Sequence, residues 1–231
     1  MRYCVYGSSS DLIHTEYLEG GRELGRCLAR HGHGLVFGGG NHGMMGAAAR
    51  GINEIRQETG MPIGSSKAKQ SISGEAYLAW AEREGITGPE IIGISPSFFN
   101  EEGILYDHCT CMIYTETMRE RKQKMEEFSD GFIITPGGLG TLDEFFEIAT
   151  LRQLGQHGKP VAILNLRGYY DAMEAMLVKA AAEQFIGADT MEVLRFFREP
   201  EELVCWIEKQ QEAYLDWRAT KYGRTNDSDT Q

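Results

Sequence analysis

Phe132-Ile133-Ile134-Thr135-Pro136-Gly137-Gly138-Leu139-Gly140-Thr141-Leu142-Asp143-Glu144 joins an apolar run to an amphipathic one through a proline and three glycines. An apolar run that enters a glycine-rich turn and leaves as a helix is the strand-to-helix corner of a β-α unit. Glycines let the backbone approach an anion closely and adopt positive φ. The helix that follows adds unpaired N–H groups and the positive end of its dipole. A phosphate would dock there without a lysine, and Glu144 would stand beside it. The same residues also make a plain helix start, with Thr141 as the cap and Asp143 and Glu144 suiting the dipole. The stretch lacks the lysine of a Walker A loop and the glycine spacing of the dinucleotide fingerprint, so neither ATP nor NAD is indicated.

Outward from this corner the same alternation repeats. Strands are predicted near Arg2–Tyr6, Gly34–Phe37, Glu90–Ile94, Thr110–Tyr114, Gly131–Thr135 and Pro160–Leu164. Helices are predicted near Thr15–His31, Gly43–Thr59, Glu116–Phe128, Thr141–Leu154, Tyr169–Glu183 and Pro200–Ala213, with a further one from about Ser73 to Glu84. This order implies an α/β, Rossmann-like, doubly wound and mostly parallel sheet flanked by helices in a single domain. Ligands of such sheets bind beyond the carboxyl ends of the strands. The turn after Tyr6, the loop after Phe37 and the loop after Thr135 meet that condition.

The 231 residues suffice for one sheet of about six or seven strands. A net charge of −11 argues against a nucleic-acid surface, because phosphate backbones are bound by clustered Lys and Arg. No apolar run is long enough to span a bilayer, and the chain enters its first strand without the apolar core of a signal peptide. A cytoplasmic protein is expected, with no membrane partner. The five cysteines, Cys4, Cys27, Cys109, Cys111 and Cys205, are scattered and odd in number, which suits free thiols. Cys109 and Cys111 have the spacing of one sheet face rather than of a zinc pair, and His31 and His33 read as a polar helix-to-strand turn. His42 is the histidine inside a glycine loop and reads as solvent-facing. No metal and no cofactor are expected.

The run Pro136–Glu144 resembles the PGGxGTxxE signature of the LONELY GUY (LOG) family, cytokinin riboside 5′-monophosphate phosphoribohydrolases often mislabelled lysine decarboxylases, with every fixed position present. Met118-Arg119-Glu120-Arg121-Lys122 is similar to the family's M-H-x-R-K segment, with Arg119 where histidine is usual. Gly38-Gly39-Gly40-Asn41-His42-Gly43-Met44-Met45-Gly46 resembles its first glycine loop, and Cys4 to Ser9 its opening strand and turn. Gln153-Leu154-Gly155, Pro160-Val161 and Gly168-Tyr169-Tyr170 continue the likeness, which runs from Met1 to about Lys209. The expected organisation is a LOG-like domain over 1–214, with an insertion at about 57–89, and a polar, disordered tail over 215–231.

The resemblance implies hydrolysis of the N-glycosidic bond of an adenine-type nucleoside 5′-monophosphate to free base and ribose 5-phosphate. It makes Glu144 and Arg121 the catalytic pair. Glu144 would activate water, stabilise the cationic anomeric carbon, or both. Arg121, a permanently charged fork, would orient that carboxylate and stabilise the leaving base. On residues alone Arg121 also fits a charged surface helix. By the same resemblance Met118, Lys122, Gly137, Gly138, Leu139, Gly140, Thr141, Thr150, Gly39, Gly40 and Gly43 are substrate-binding, although a methionine at this spacing also suits a core. Asp143 reads as a helix-dipole residue. Lys159 gives no reason to invoke pyridoxal phosphate. A non-catalytic nucleotide-binding regulator of the same fold is the alternative, and paired Arg121 and Glu144 favour the enzyme. A homodimer or higher even oligomer is implied, with Phe145, Phe146, Ile148, Ala149 and Leu151 as either interface or core.

Overall fold

The computed structural model describes residues 1–62, 67–70, 72–86, 88–216 and 218. Its first strand shows how the sequence builds the core. In β1 (Arg2–Tyr6) successive side chains point to opposite faces: Tyr3 and Val5 enter one hydrophobic cluster, Cys4 and Tyr6 the other. A strand buried on both faces has helices on both sides, which is why the strands read as continuous apolar runs.

Eight strands form one sheet in the order β3-β5-β4-β2-β1-β6-β7-β8, and every pairing is parallel. They are β2 (Gly34–Phe37), β3 (Lys67–Gln70), β4 (Ile91–Pro96), β5 (Cys111–Thr115), β6 (Gly131–Ile134), β7 (Val161–Leu164) and β8 (Leu194–Phe197). The helices are α1 (Thr15–Arg30), α2 (Gly43–Glu58), α3 (Gly74–Arg83), α4 (Met118–Glu127), α5 (Leu139–Gln153), α6 (Asp171–Ala182), α7 (Ala188–Val193) and α8 (Pro200–Ile207). Strand order reverses about β1, which has β2 on one side and β6 on the other. Tyr6 is level with Ile134, so the loops leaving β1 and β6 start side by side at that reversal.

Two strands exceed the expectation, and both are edges. β3, Lys-Ala-Lys-Gln, carries no alternation of apolar residues, and charge on an edge strand discourages pairing with other chains. β8 follows the short helix α7 directly and is only partly buried. The stretch between α2 and β4 thus supplies an edge strand and a helix, α3, capped by Ser73, whose hydroxyl accepts from the Ala76 N–H at 3.2 Å. Helix α8 ends at Ile207 rather than near Ala213. Beyond it the Ala213 N–H donates to the Gly158 carbonyl at 3.0 Å, so the backbone bonds across to another loop instead of along a helix. Most of the expected tail over 215–231 lies outside the described residues.

On one face α1 and α2 pack backbone to backbone. A Cβ at Gly25 would stand 2.0 Å from the Ala48 carbonyl oxygen, and one at Gly51 would stand 2.0 Å from that of Arg22. No side-chain rotation relieves a clash with main chain, so the helices would have to separate. Gly25→Ala is therefore expected to lower stability by about 1–3 kcal/mol, read from the midpoint of urea unfolding. An unchanged midpoint would contradict this close approach.

Candidate active site

The loop after β1 is stitched to the loop after β6. The Ser8 N–H donates to the Pro136 carbonyl at 3.0 Å, and the Thr135 hydroxyl donates to the Tyr6 carbonyl at 3.0 Å. Gly7 is required there, because a Cβ would fall 2.1 Å from Thr135 Oγ1. From the other side the Tyr170 hydroxyl donates to the Thr135 carbonyl at 2.8 Å and that of Tyr169 to the Gly137 carbonyl at 2.7 Å. Two tyrosines following the turn after β7 therefore brace the glycine loop from behind.

Helix α5 starts at Leu139, two residues before the expected position, so Thr141 lies inside the first turn instead of capping it. Gly138 is the cap residue and supplies no side-chain acceptor. Gly138, Gly140 and Thr141 line a cavity of about 540 Å³. The loop after β1 adds Gly7 and Ser8 to Ser10, and the loop after β2 adds Gly38, Gly40 and His42. Met118, Arg121 and Glu144 come from α4 and α5, and Ser95, Phe99, Ile104 and Leu105 close the remaining side.

Arg121 and Glu144 meet within this cavity. The Arg121 Nη1 donates to Glu144 Oε1 at 2.6 Å, and each residue is 7% exposed. Thr117 sets the helix that carries Arg121: its hydroxyl accepts from the Glu120 N–H at 3.1 Å, and Glu120 Oε2 accepts from the Glu116 N–H at 2.9 Å. Arg121, one turn into α4, then points inward rather than to the solvated face. Gly38 leaves space for it, since a Cβ would sit 2.2 Å from Arg121 Nη2. Burial pushes the Glu144 carboxyl above the ordinary glutamate range, against the opposing pull of the Arg121 charge. Behind the pair, burial pushes the Cys4 thiol up to about 12 and holds the Tyr6 hydroxyl well above the usual tyrosine range, so both stay neutral.

The remaining candidates divide. Lys122 turns outward to Asp143, at 3.1 Å, and to Glu147, tying α4 to α5 outside the cavity. Leu139 is 86% exposed, and Thr150 is exposed near the far end of α5; neither lines the cavity. Gly39 and Gly43 shape the loop after β2 at φ +75 and +64 without lining the cavity. The Gly43 N–H donates to Asp11 Oδ1 at 2.7 Å. Gly137 contributes its carbonyl to Tyr169, as described. His42 is exposed, as expected, and it also lines the cavity, where Asp11 lies 2.5 Å from its Nδ1. Of the apolar α5 face, Phe145, Ile148 and Ala149 are core, whereas Phe146 is 39% exposed.

Among the described lining residues Arg121 is the only lysine or arginine, and it is already bound to a carboxylate. An anion there would depend on main-chain N–H groups and on the hydroxyls of Ser8 to Ser10 and Thr141. The arrangement combines a glycine-rich helix start, an ionisable buried carboxylate and a fixed cation.

A model of the family described as possible lysine decarboxylase matches residues 78–207. The cytokinin riboside 5′-monophosphate phosphoribohydrolase LOG of Oryza sativa subsp. japonica is 31% identical over 208 residues, covering 90% of this chain and 73% of the rice protein. A phosphoribohydrolase of the same description from Arabidopsis thaliana is 29% identical over 90% of this chain and 82% of its own length. Among solved structures, the molybdenum cofactor binding protein of Rippkaea orientalis superposes with a TM-score of 0.59 at 20% identity, covering 90% of this chain and 94% of that one; this likeness concerns the fold alone. With the family model spanning more than half the chain and the rice enzyme alignable over nine-tenths of it, the protein belongs to the LONELY GUY family.

Proposed function

We propose that the protein hydrolyses the N-glycosidic bond of adenine-type nucleoside 5′-monophosphates, AMP or its N6-prenylated relatives, to free base and ribose 5-phosphate. The observation that carries this reading is the buried 2.6 Å Arg121–Glu144 pair beside the uncapped, glycine-rich start of α5. The glycine loop and Thr141 would take the phosphate. This would set the ribose over Glu144 and the base toward Met118 and Phe99, which line the same cavity. As the C1′–N9 bond breaks, its electron pair goes to the base and positive charge grows at C1′, where the Glu144 carboxylate stabilises it. Water supplies the new C1′–O bond and its proton ends on the departing base. Arg121 keeps Glu144 oriented and ionised, because its positive charge offsets the burial that favours the neutral acid.

Removing the substrate's phosphate tests this directly. The nucleotide is expected to react about a hundredfold faster in kcat/KM than its nucleoside, because lost charge-assisted contacts remove binding energy that positions C1′. Equal rates would contradict the cradle. The acid limb of kcat/KM is expected above the usual glutamate range, since Glu144 is active as the anion and burial raises its pKa. A pH–rate profile flat down to the free-glutamate range would remove Glu144 from that role.

The reading requires no cofactor, and turnover is expected to survive chelation. It places the protein in the cytoplasm, in keeping with five free cysteines, and among the described residues no helix is long and apolar enough to cross a membrane. A homodimer or higher even oligomer belongs to the same proposal, supported by apolar exposure of Met118, Leu139 and Phe146 on α4 and α5. Light scattering is expected to give an even multiple of the 25.9 kDa chain mass. A fully active monomer would contradict it.

A further inference from the structure

At the other end of β2 from the cavity, the turn Arg30-His31-Gly32-His33 closes α1. Gly32, at φ +73, takes the left-handed position, its N–H donates to Ala29 at 3.0 Å, and the His33 N–H donates to Leu28 at 2.8 Å. This closure sets the two imidazoles side by side with ring centroids 6.2 Å apart. Helix α8 ends against them, bringing Glu208. His31 Nδ1 is 2.9 Å from Glu208 Oε2, and His33 Nε2 is 3.2 Å from the same oxygen. The three atoms all lie within 4.8 Å of one another.

We propose that His31, His33 and Glu208 form a binding site for a zinc-type divalent transition-metal ion, which clamps the end of α8 to the turn between α1 and β2. A tetrahedral ion with bonds of about 2.0–2.1 Å holds neighbouring ligands roughly 3.3 Å apart, close to the 2.9 and 3.2 Å that separate the two imidazole nitrogens from Glu208 Oε2. Two imidazoles and one carboxylate suit zinc or its late first-row neighbours, with the remaining position open to water. The other nitrogen of His31 is 3.0 Å from Glu201 Oε1, so Glu201 can accept its proton and direct Nδ1 to the ion, the usual outer support of a metal-bound histidine. His33 is 8% exposed, while the half-buried His31 and Glu208 leave a way in from solvent. The site also receives the negative ends of two helices, since His31 caps α1 and Glu208 caps α8 at their carboxyl termini. Cys205 with Glu201 offers a rival set through the opposite nitrogen of His31, but it is more exposed and lacks a second imidazole.

Titrating the full chain with zinc chloride against a chromophoric chelator, and counting retained metal by elemental analysis after desalting, tests the site. One zinc per chain at micromolar affinity or tighter is expected. His31→Ala and Glu208→Gln, both outside the packed core, should each weaken binding at least a hundredfold. Glu201→Gln should weaken it about tenfold, and Cys205→Ala should leave it unchanged. Zinc should raise the thermal midpoint of the wild type but not of His31→Ala, with turnover the same in either case. No saturable binding, or equal binding by wild type and His31→Ala, would overturn the site and leave a hydrogen-bonded cluster only. Binding lost in Cys205→Ala and kept in Glu208→Gln would overturn the ligand set.

Discussion

Glu144→Gln is expected to lower turnover by about a thousandfold while leaving nucleotide affinity nearly unchanged. The amide keeps the shape of the carboxylate and still faces Arg121, so the cavity and its glycine loop persist. It can neither carry negative charge against a cationic C1′ nor accept a proton from water. The effect belongs in kcat, because the charge is needed as the bond breaks rather than when the nucleotide docks. Turnover near that of the wild type would remove Glu144 from the chemistry, whatever its burial.

Arg121→Ala is expected to abolish activity and also to destabilise the fold, which Glu144→Gln should not do to the same degree. Both partners are 7% exposed, and deleting the guanidinium strands a buried carboxylate. Such losses run to about 3–5 kcal/mol. The penalty should shrink as pH falls, since Glu144, already raised by burial, then protonates and no longer needs a partner. It should also shrink in Arg121→Ala/Glu144→Gln, where no unpaired charge remains. The double variant is therefore expected to unfold at higher urea than Arg121→Ala while staying inactive. A double variant no more stable than the single one would mean that the arginine supports the fold by packing alone.

The parallel sheet was legible because its inner strands are short apolar runs separated by amphipathic stretches. The edges were not: Lys67–Gln70 has no apolar pattern, and Leu194–Phe197 follows a six-residue helix without a turn signal. Within the site, the meeting of Arg121 with Glu144 followed from family motifs and not from local pattern. On α4 alone Arg121 is one charge in Arg-Glu-Arg-Lys; the face it shares with the buried Met125 one turn on, and the space left by the absent Cβ of Gly38, show that it points inward. Lys122 illustrates the opposite case, since the motif placed it at the substrate and the structure pairs it with Asp143 and Glu147. Tyr169 and Tyr170 stood in a quoted segment, but their role depends on hydroxyls reaching carbonyls more than thirty residues away, which no sequence period encodes. The pairing of His31 and His33 with Glu208 is likewise a contact across the fold that a turn reading could not supply.

Quantifying every product formed from AMP and from N6-isopentenyl-AMP by the purified protein tests the central claim most directly. Free base and ribose 5-phosphate are expected in equal amounts, and neither should form with Glu144→Gln. Absence of free base from any nucleoside monophosphate, or release of inorganic phosphate with intact nucleoside instead, would contradict it.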